Sequence, residues 1–257
     1  MAAVELAYSE FGRPDDAPLI ILHGFFASSR NWKFIAEKLA VSHHVFAVDL
    51  RNHGASPHHP VMDYSVMAED VRLFMARRGL IKASLLGHSM GGKVAMWLAL
   101  NNPDIVNKLI IADIAPMTYS HSFDTTISAL KRLPLATIGN RKQAEESLAH
   151  AIPELSYRQF LLQNLVLRDG HYQWRVDLEI LGRSAPSIVA FPDALSRAPY
   201  QGSVLFIAGS ESNFVKAEAV FPLFPHAQLN TIDGAGHWLH VQQPESFLAA
   251  VLDFLRT

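Results

Sequence analysis

The feature that most constrains this chain is an alternation of short apolar runs with helical patterns, interrupted once by a long stretch that breaks the rhythm. Apolar runs at residues 4–8, 19–22, 45–49, 84–87, 108–112, 204–208 and 228–232 read as strands. Most are apolar throughout, not at every second residue, which is the pattern of strands covered on both faces. Helical patterns lie between them at 32–39, 66–78, 91–100, 217–221 and 245–255. The last opens after Pro244, a residue suited to the first helical position. Strand and helix in turn predict an α/β architecture, a mostly parallel central sheet flanked by helices.

Between about Pro116 and Tyr200 the alternation stops. Residues 125–133, 141–149 and 157–167 have helical patterning, Pro134, Pro153, Pro186 and Pro192 punctuate the stretch, and no buried strand stands out. It is too long for a plain connection in a compact domain. The expected organisation is therefore a core formed by residues 1–116 and 200–257, with residues 117–199 as a helical cap over the sheet.

Of the 257 residues 49% are hydrophobic, enough to bury a large core and to exclude a disordered chain. The formal charge of −2 comes from scattered residues, so no basic stripe suggests nucleic acid or anionic lipid. There is no cysteine, which excludes disulfides, a thiol nucleophile and cysteine metal sites and agrees with a cytoplasmic protein, the location expected here. The N-terminus lacks the basic region and apolar stretch of a secretory signal. No apolar run approaches the ~18–20 residues that cross a bilayer.

The segment Gly87-His88-Ser89-Met90-Gly91-Gly92 follows a strand and precedes a helix. Gly-x-Ser-x-Gly in that context is a nucleophile elbow: the serine projects from a sharp, strained turn at the positive end of a helix. The glycines leave room where side chains would clash across the turn. A second strand runs into His23-Gly24-Phe25-Phe26. In such a fold the oxyanion hole takes one backbone N–H from the residue after the nucleophile, here Met90. The other comes from this second loop, from Phe25 in preference to Phe26. His23 is expected to hold the loop.

Thirteen histidines compete for the role of base. Asp233-Gly234-Ala235-Gly236-His237-Trp238 follows the last strand, and its glycine-rich turn can carry His237 to the C-terminal edge of the sheet, where reacting groups collect. His240 lacks that approach, His88 points the wrong way along its strand, and His43, His44, His58 and His59 read as surface residues. A metal site at His237-x-x-His240 lacks an accompanying carboxylate cluster, so neither metal nor cofactor is expected. The acid that fixes the histidine tautomer stays open on residues alone. The loop after 204–208 offers Glu211 but no aspartate; Asp113 ends the preceding strand, and Asp49 reads as a residue that orders its own loop.

Asp49-Leu50-Arg51-Asn52-His53-Gly54-x-Ser56, Gly87-His88-Ser89-Met90-Gly91-Gly92-Lys93 and Asp113-Ile114-Ala115-Pro116 occur in that order. Together they resemble the YbfF-type esterases of the α/β-hydrolase superfamily, close to the abhydrolase-domain 11 proteins. The resemblance covers roughly residues 4–116 and 200–255 and is weak through the cap. It implies Asp113 as the triad acid, a serine in the seventh-strand loop, Ser212, bonded to that aspartate, and short- to medium-chain carboxylic esters or acyl-thioesters as the small-molecule substrates. Phe123, Leu130, Leu133, Leu161, Leu165 and Trp174 of the cap, with Phe26 and Trp238, are the expected lining of an acyl pocket. A serine nucleophile argues against dehalogenases and epoxide hydrolases, which use aspartate. Carbon–carbon bond hydrolases and a slow-turnover binding protein share the motif and are not separated by it.

Overall fold

A computed structural model describes residues 3–194 and 196–256. The core opens with β1 (Tyr8–Phe11), β2 (Ala17–Leu22), α1 (Lys33–Leu39), β3 (His43–Val48), α2 (Tyr64–Arg77), β4 (Ala83–His88), α3 (Met90–Asn101) and β5 (Val106–Ala112). A long excursion follows, with α4 (Asp124–Lys131), α5 (Arg141–Leu148), α6 (Leu155–Leu161), β6 (Leu165–Arg168), β7 (His171–Trp174) and α7 (Leu178–Val189). The chain then returns through β8 (Ser203–Gly209), α8 (Ala217–Val220), β9 (Ala227–Ile232), α9 (Leu239–Gln242) and α10 (Pro244–Arg256).

The main sheet has the order β1-β3-β2-β4-β5-β8-β9. Only β1 runs antiparallel to its neighbour; every other pairing is parallel. Successive side chains on a strand face opposite ways, and here both faces are covered. Ile20, Leu22, Phe46, Val48, Leu85, Leu109 and Ile111 pack on one side with α2, α3 and the excursion. Leu19, Ile21, Val45, Ala47, Leu86, Ile110 and Ala112 pack on the other with α1 and α10. Two-sided burial is why the central strands read as unbroken apolar runs. It also makes each of them intolerant of truncation: a buried isoleucine or leucine cut to alanine here costs about 2–5 kcal/mol.

Three expectations need correction. The first strand lies at Tyr8–Phe11, not at 4–8. Leu6 is buried as if in a strand, but the Val4 N–H donates to the Asp70 carboxylate at 2.7 Å, and ladder pairing starts only at Tyr8 opposite Val48. The excursion is not purely helical. The helix drawn over 157–167 stops at Leu161, and β6 and β7 then form a hairpin whose turn, Asp169-Gly170, has φ of 48° and 78°. Finally, Pro186 does not break the chain but sits inside α7, near its end.

Buried Lys93 on α3 fastens the excursion to the core. Its ammonium donates to the carbonyls of Val189 and Ala190 at 2.9 and 2.7 Å, the acceptors left over at the C-terminal end of α7. A cation there also meets the negative end of the helix dipole. Tyr64 on α2 donates to the Ile188 carbonyl at 2.5 Å, so α2 and α3 hold the same helix end.

Candidate active site

Ser89 occupies the junction of β4 and α3 with φ 52° and ψ −119°, a conformation an L-residue adopts only under constraint. The constraint is tight packing. A Cβ on Gly87 would lie 2.4 Å from the Gly91 carbonyl oxygen, and one on Gly91 would lie 2.2 Å from that of Leu22. The corner therefore presses against both its own helix and the end of β2. The Ser89 N–H continues the sheet ladder by donating to Ala112 O at 3.1 Å. Met90 begins the helix, so its N–H has no acceptor within α3.

Asp113 follows directly on β5, fully buried and again at positive φ, 50°. Its Oδ1 accepts the Gly209 N–H at 3.2 Å. Its Oδ2 accepts from the Ser212 hydroxyl at 2.5 Å and from His237 Nδ1 at 2.7 Å. His237, one-quarter exposed, lies in the loop between β9 and α9 and reaches back across 124 residues to this carboxylate. With Nδ1–H given to Asp113, the neutral ring presents Nε2 as its free acceptor. Ser89 and His237 line the same two chambers.

The other acid candidates go elsewhere. The Glu211 side chain is exposed, and its backbone N–H donates to Ala235 O. Asp49 accepts from Ser29 N at 2.7 Å and Ala55 N at 2.8 Å, so it does order its own loop.

Two histidines steady the loop that carries Phe25. His23 gives Nδ1–H to the Gly24 carbonyl at 2.8 Å and accepts the Leu50 N–H on Nε2 at 3.0 Å. His53 repeats the arrangement, donating from Nδ1 to Arg51 O at 3.0 Å and accepting the Phe26 N–H on Nε2 at 3.2 Å. Both bonds require neutral rings. Burial keeps them neutral, pushing His53 down to about 3 and lowering His23. His53 occupies the Phe26 N–H, which removes Phe26 as a donor to a ligand. The loop carrying His53 is itself pinned by Arg51, whose guanidinium makes a two-pronged, fully buried pair with Asp70 at 2.6 and 2.7 Å.

Sequence reasoning missed the parts played by His53, His88 and His44. His88 is buried beside the site and donates from Nε2 to the backbone carbonyl of His237 at 2.8 Å. Burial, then the nearby His237 ring, pushes it down to about 3. His44, expected on the surface, is buried and bonds Glu10 at 2.7 Å. The competing His240 stacks on Trp32 at 4.1 Å between centroids and is held well below its usual value by burial. The rings of His237 and His240 thus serve different partners, and among the described residues no group of three histidine, aspartate or glutamate side chains is arranged to hold a metal.

The chambers meet at Ser89. The larger one, of about 380 Å³, includes Phe26, Trp32, Phe160 and Trp238. The smaller one, of about 250 Å³, includes Ile114, Tyr119, Ile188 and Phe214. Phe123 and Tyr157 border both. Phe26, Phe123 and Trp238 therefore lie where a pocket was expected. Trp174, Leu130, Leu133, Leu161 and Leu165 do not: Trp174 sits in β7, packed against the main core, and the four leucines are buried within it.

A family profile described as alpha/beta hydrolase fold matches residues 17–244. The chain belongs to the α/β-hydrolase family. Curated relatives of this α/β-hydrolase include the sn-1-specific diacylglycerol lipase ABHD11 of Danio rerio, 38% identical, the match covering 98% of this chain and 83% of that one. They also include the esterase YbfF of Escherichia coli, 34% identical over 94% of both chains. Among solved structures, a marine microorganism esterase superposes on this α/β-hydrolase with a TM-score of 0.94 at 37% identity, covering 98% of this chain and 100% of that one. An E-2-(acetamidomethylene)succinate hydrolase, 21% identical with a TM-score of 0.82, shares the fold; that match covers 99% of this chain and 96% of the other. No helix among the described residues is long and apolar enough to cross a membrane.

Proposed function

We propose that this α/β-hydrolase is a serine carboxylesterase acting on short- to medium-chain esters, and on acyl-thioesters, through an acyl-enzyme. The observation that carries the reading is the 2.7 Å bond from His237 Nδ1 to a buried carboxylate, which leaves Nε2 as a base in the cavity that Ser89 also lines. Ser89 Oγ attacks the ester carbonyl carbon while His237 Nε2 takes the hydroxyl proton. The negative charge that develops on the carbonyl oxygen is met by the N–H groups of Phe25 and Met90, a contribution worth roughly 10²–10³ in rate per donor. Asp113 holds the imidazolium formed in this step. Collapse of the tetrahedral intermediate breaks the bond to the leaving group, which departs as alcohol or thiol with the proton from His237. Water, deprotonated by the same ring, then releases the acid and restores Ser89.

The smaller, mostly apolar chamber suits the acyl half, and the larger chamber, bordered also by Asn31, Gln159 and Gln163, suits the alcohol half. The relatives named as esterase and lipase agree with an ester substrate. A panel of 4-nitrophenyl esters of increasing acyl length tests the reading, together with fluorophosphonate labelling of Ser89 and of the Ser89→Ala variant. Turnover and labelling that vanish in Ser89→Ala support it. Turnover at the wild-type rate in that variant removes Ser89 from the mechanism.

A further inference from the structure

Next to the larger chamber lies a third cavity of different character, about 270 Å³ and edged by Arg30, Arg141 and Arg175. The three guanidiniums come from separate parts of the chain: Arg30 from the turn before α1, Arg141 from the start of α5 and Arg175 from just beyond β7. Among the described residues no ion pair engages any of them. Arg141 donates to the Leu165 carbonyl at 2.7 Å, and the Asn164 amide beside it donates to Phe26 O, also at 2.7 Å.

Three like charges gathered without an ion-pair partner repel one another. Arg175 registers this: partial burial and then the neighbouring Arg30 draw it below the usual guanidinium value, with Arg168 and Arg141 adding to the effect. Asp49 is the one carboxylate that opposes it, and both Asp49 oxygens are already occupied by backbone N–H groups. An anion in the cavity would relieve the repulsion. A single carboxylate would offset one of the three charges, whereas a phosphate monoester carries about −1.5 to −2 at neutral pH and three strong acceptor oxygens suited to guanidinium forks.

This cavity adjoins the ester site. Phe26, Asn31 and Gln163 border both, and Asn31 Nδ2 donates to Gln163 Oε1 at 2.7 Å along the shared rim. We propose that Arg30, Arg141 and Arg175 form a phosphate-binding subsite for substrates whose alcohol or thiol half carries a phosphate, so that the anion is held beyond the Asn31–Gln163 rim while the ester lies against Ser89. The inference rests on the esterase reading for its placement, but binding at the subsite is measurable without turnover.

The test has two arms for the two sources of such a group. Calorimetry compares coenzyme A with pantetheine, and glycerol 3-phosphate with glycerol, on the wild-type chain and on the Arg30→Gln, Arg175→Gln double variant at low salt. Kinetics then compares kcat/KM for hexanoyl-CoA with that for hexanoyl-pantetheine, and for 1-hexanoylglycerol 3-phosphate with that for 1-hexanoylglycerol. The expected result is that in at least one arm the phosphate compound binds and reacts tenfold or more better than its phosphate-free partner, and that the double variant loses most of this ratio. The arm that responds identifies the source. Ratios near one in both arms, or a ratio that survives the substitutions, overturn the subsite. Turnover of the phosphate-free partners with ratios near one sinks the subsite alone, and no turnover of any of the four sinks the esterase reading alone.

Discussion

Ser212 Oγ and His237 Nδ1 converge on one oxygen of Asp113, Oδ2, at 2.5 and 2.7 Å. The second oxygen is bonded to the Gly209 N–H. The carboxylate is fully buried, so these donors replace its water.

That arrangement ranks three substitutions. Asp113→Asn leaves the shape but alters the acceptor, and should lower kcat by roughly 10³–10⁴, as when a triad histidine is left in the wrong tautomer. Ser212→Ala removes one of two donors to Oδ2 and should cost roughly tenfold in kcat. Glu211→Gln should leave kcat unchanged. Steady-state kinetics on 4-nitrophenyl butyrate reads all three, and a collapse in Glu211→Gln with a normal Asp113→Asn would reverse the acid assignment.

His53→Leu should release the Phe26 N–H and let the loop carrying Phe25 shift. Small displacements of an oxyanion donor are expensive, so kcat should fall roughly 10- to 100-fold while KM changes little. A large rise in KM at constant kcat would instead show that His53 shapes the chamber and not the donor.

Burial pushes the Lys93 ammonium down from 10.5 to about 7. Below pH 7 the lysine is charged in both the folded and unfolded chain and contributes no pH dependence. From about pH 7 to about 10.5 the unfolded chain holds more protons, so stability from this group rises with pH, by at most ~1.4 kcal/mol per unit. Tyr64 and Tyr119, which face the ammonium, are both shifted upward by burial and stay neutral across most of this window. Thermal melts of wild type and Lys93→Met at pH 6.5–9 should show the wild-type slope disappear in the variant; parallel curves would refute the assignment.

Gly87→Ala should fold poorly, because the new methyl would sit 2.4 Å from a backbone oxygen with no flexible side chain to yield. Gly24→Ala meets His88 Nδ1 at 3.1 Å and Ser89 Cβ at 3.3 Å, a milder crowding. The second variant should keep most of its thermal stability and lose activity, as circular dichroism melts and ester kinetics on the same preparations would show.

The central strands were legible because two-sided burial writes an unbroken apolar run into β2, β3, β4 and β5. Ser89 and His237 were legible through the glycines around them. The hairpin of the excursion was also written in the chain: Asp169-Gly170 between alternating residues is a two-residue turn signal, overridden by the helical patterning assigned to 157–167. The environments of His44, His53 and His88 were not legible. Each depends on a partner 27 to 149 residues away, such as Glu10, Phe26 or the His237 carbonyl, and local spacing holds no record of such contacts. The choice between Asp113 and Glu211 has the same origin, since residues alone left it open and only a contact across 124 positions separates them.

Ser89 and Asp113 end neighbouring parallel strands, and both have left-handed backbones without being glycine, a geometry that costs on the order of 1–3 kcal/mol at each such position. The tips of β4 and β5 are therefore held in a less comfortable shape than the fold itself requires. Selection for heat resistance alone, with no demand for turnover, should find relief at Ser89, for example by glycine, whereas at Asp113 the buried donors left without an acceptor would cancel the gain. Such a protein would gain robustness by giving up the hydroxyl its tension holds in place.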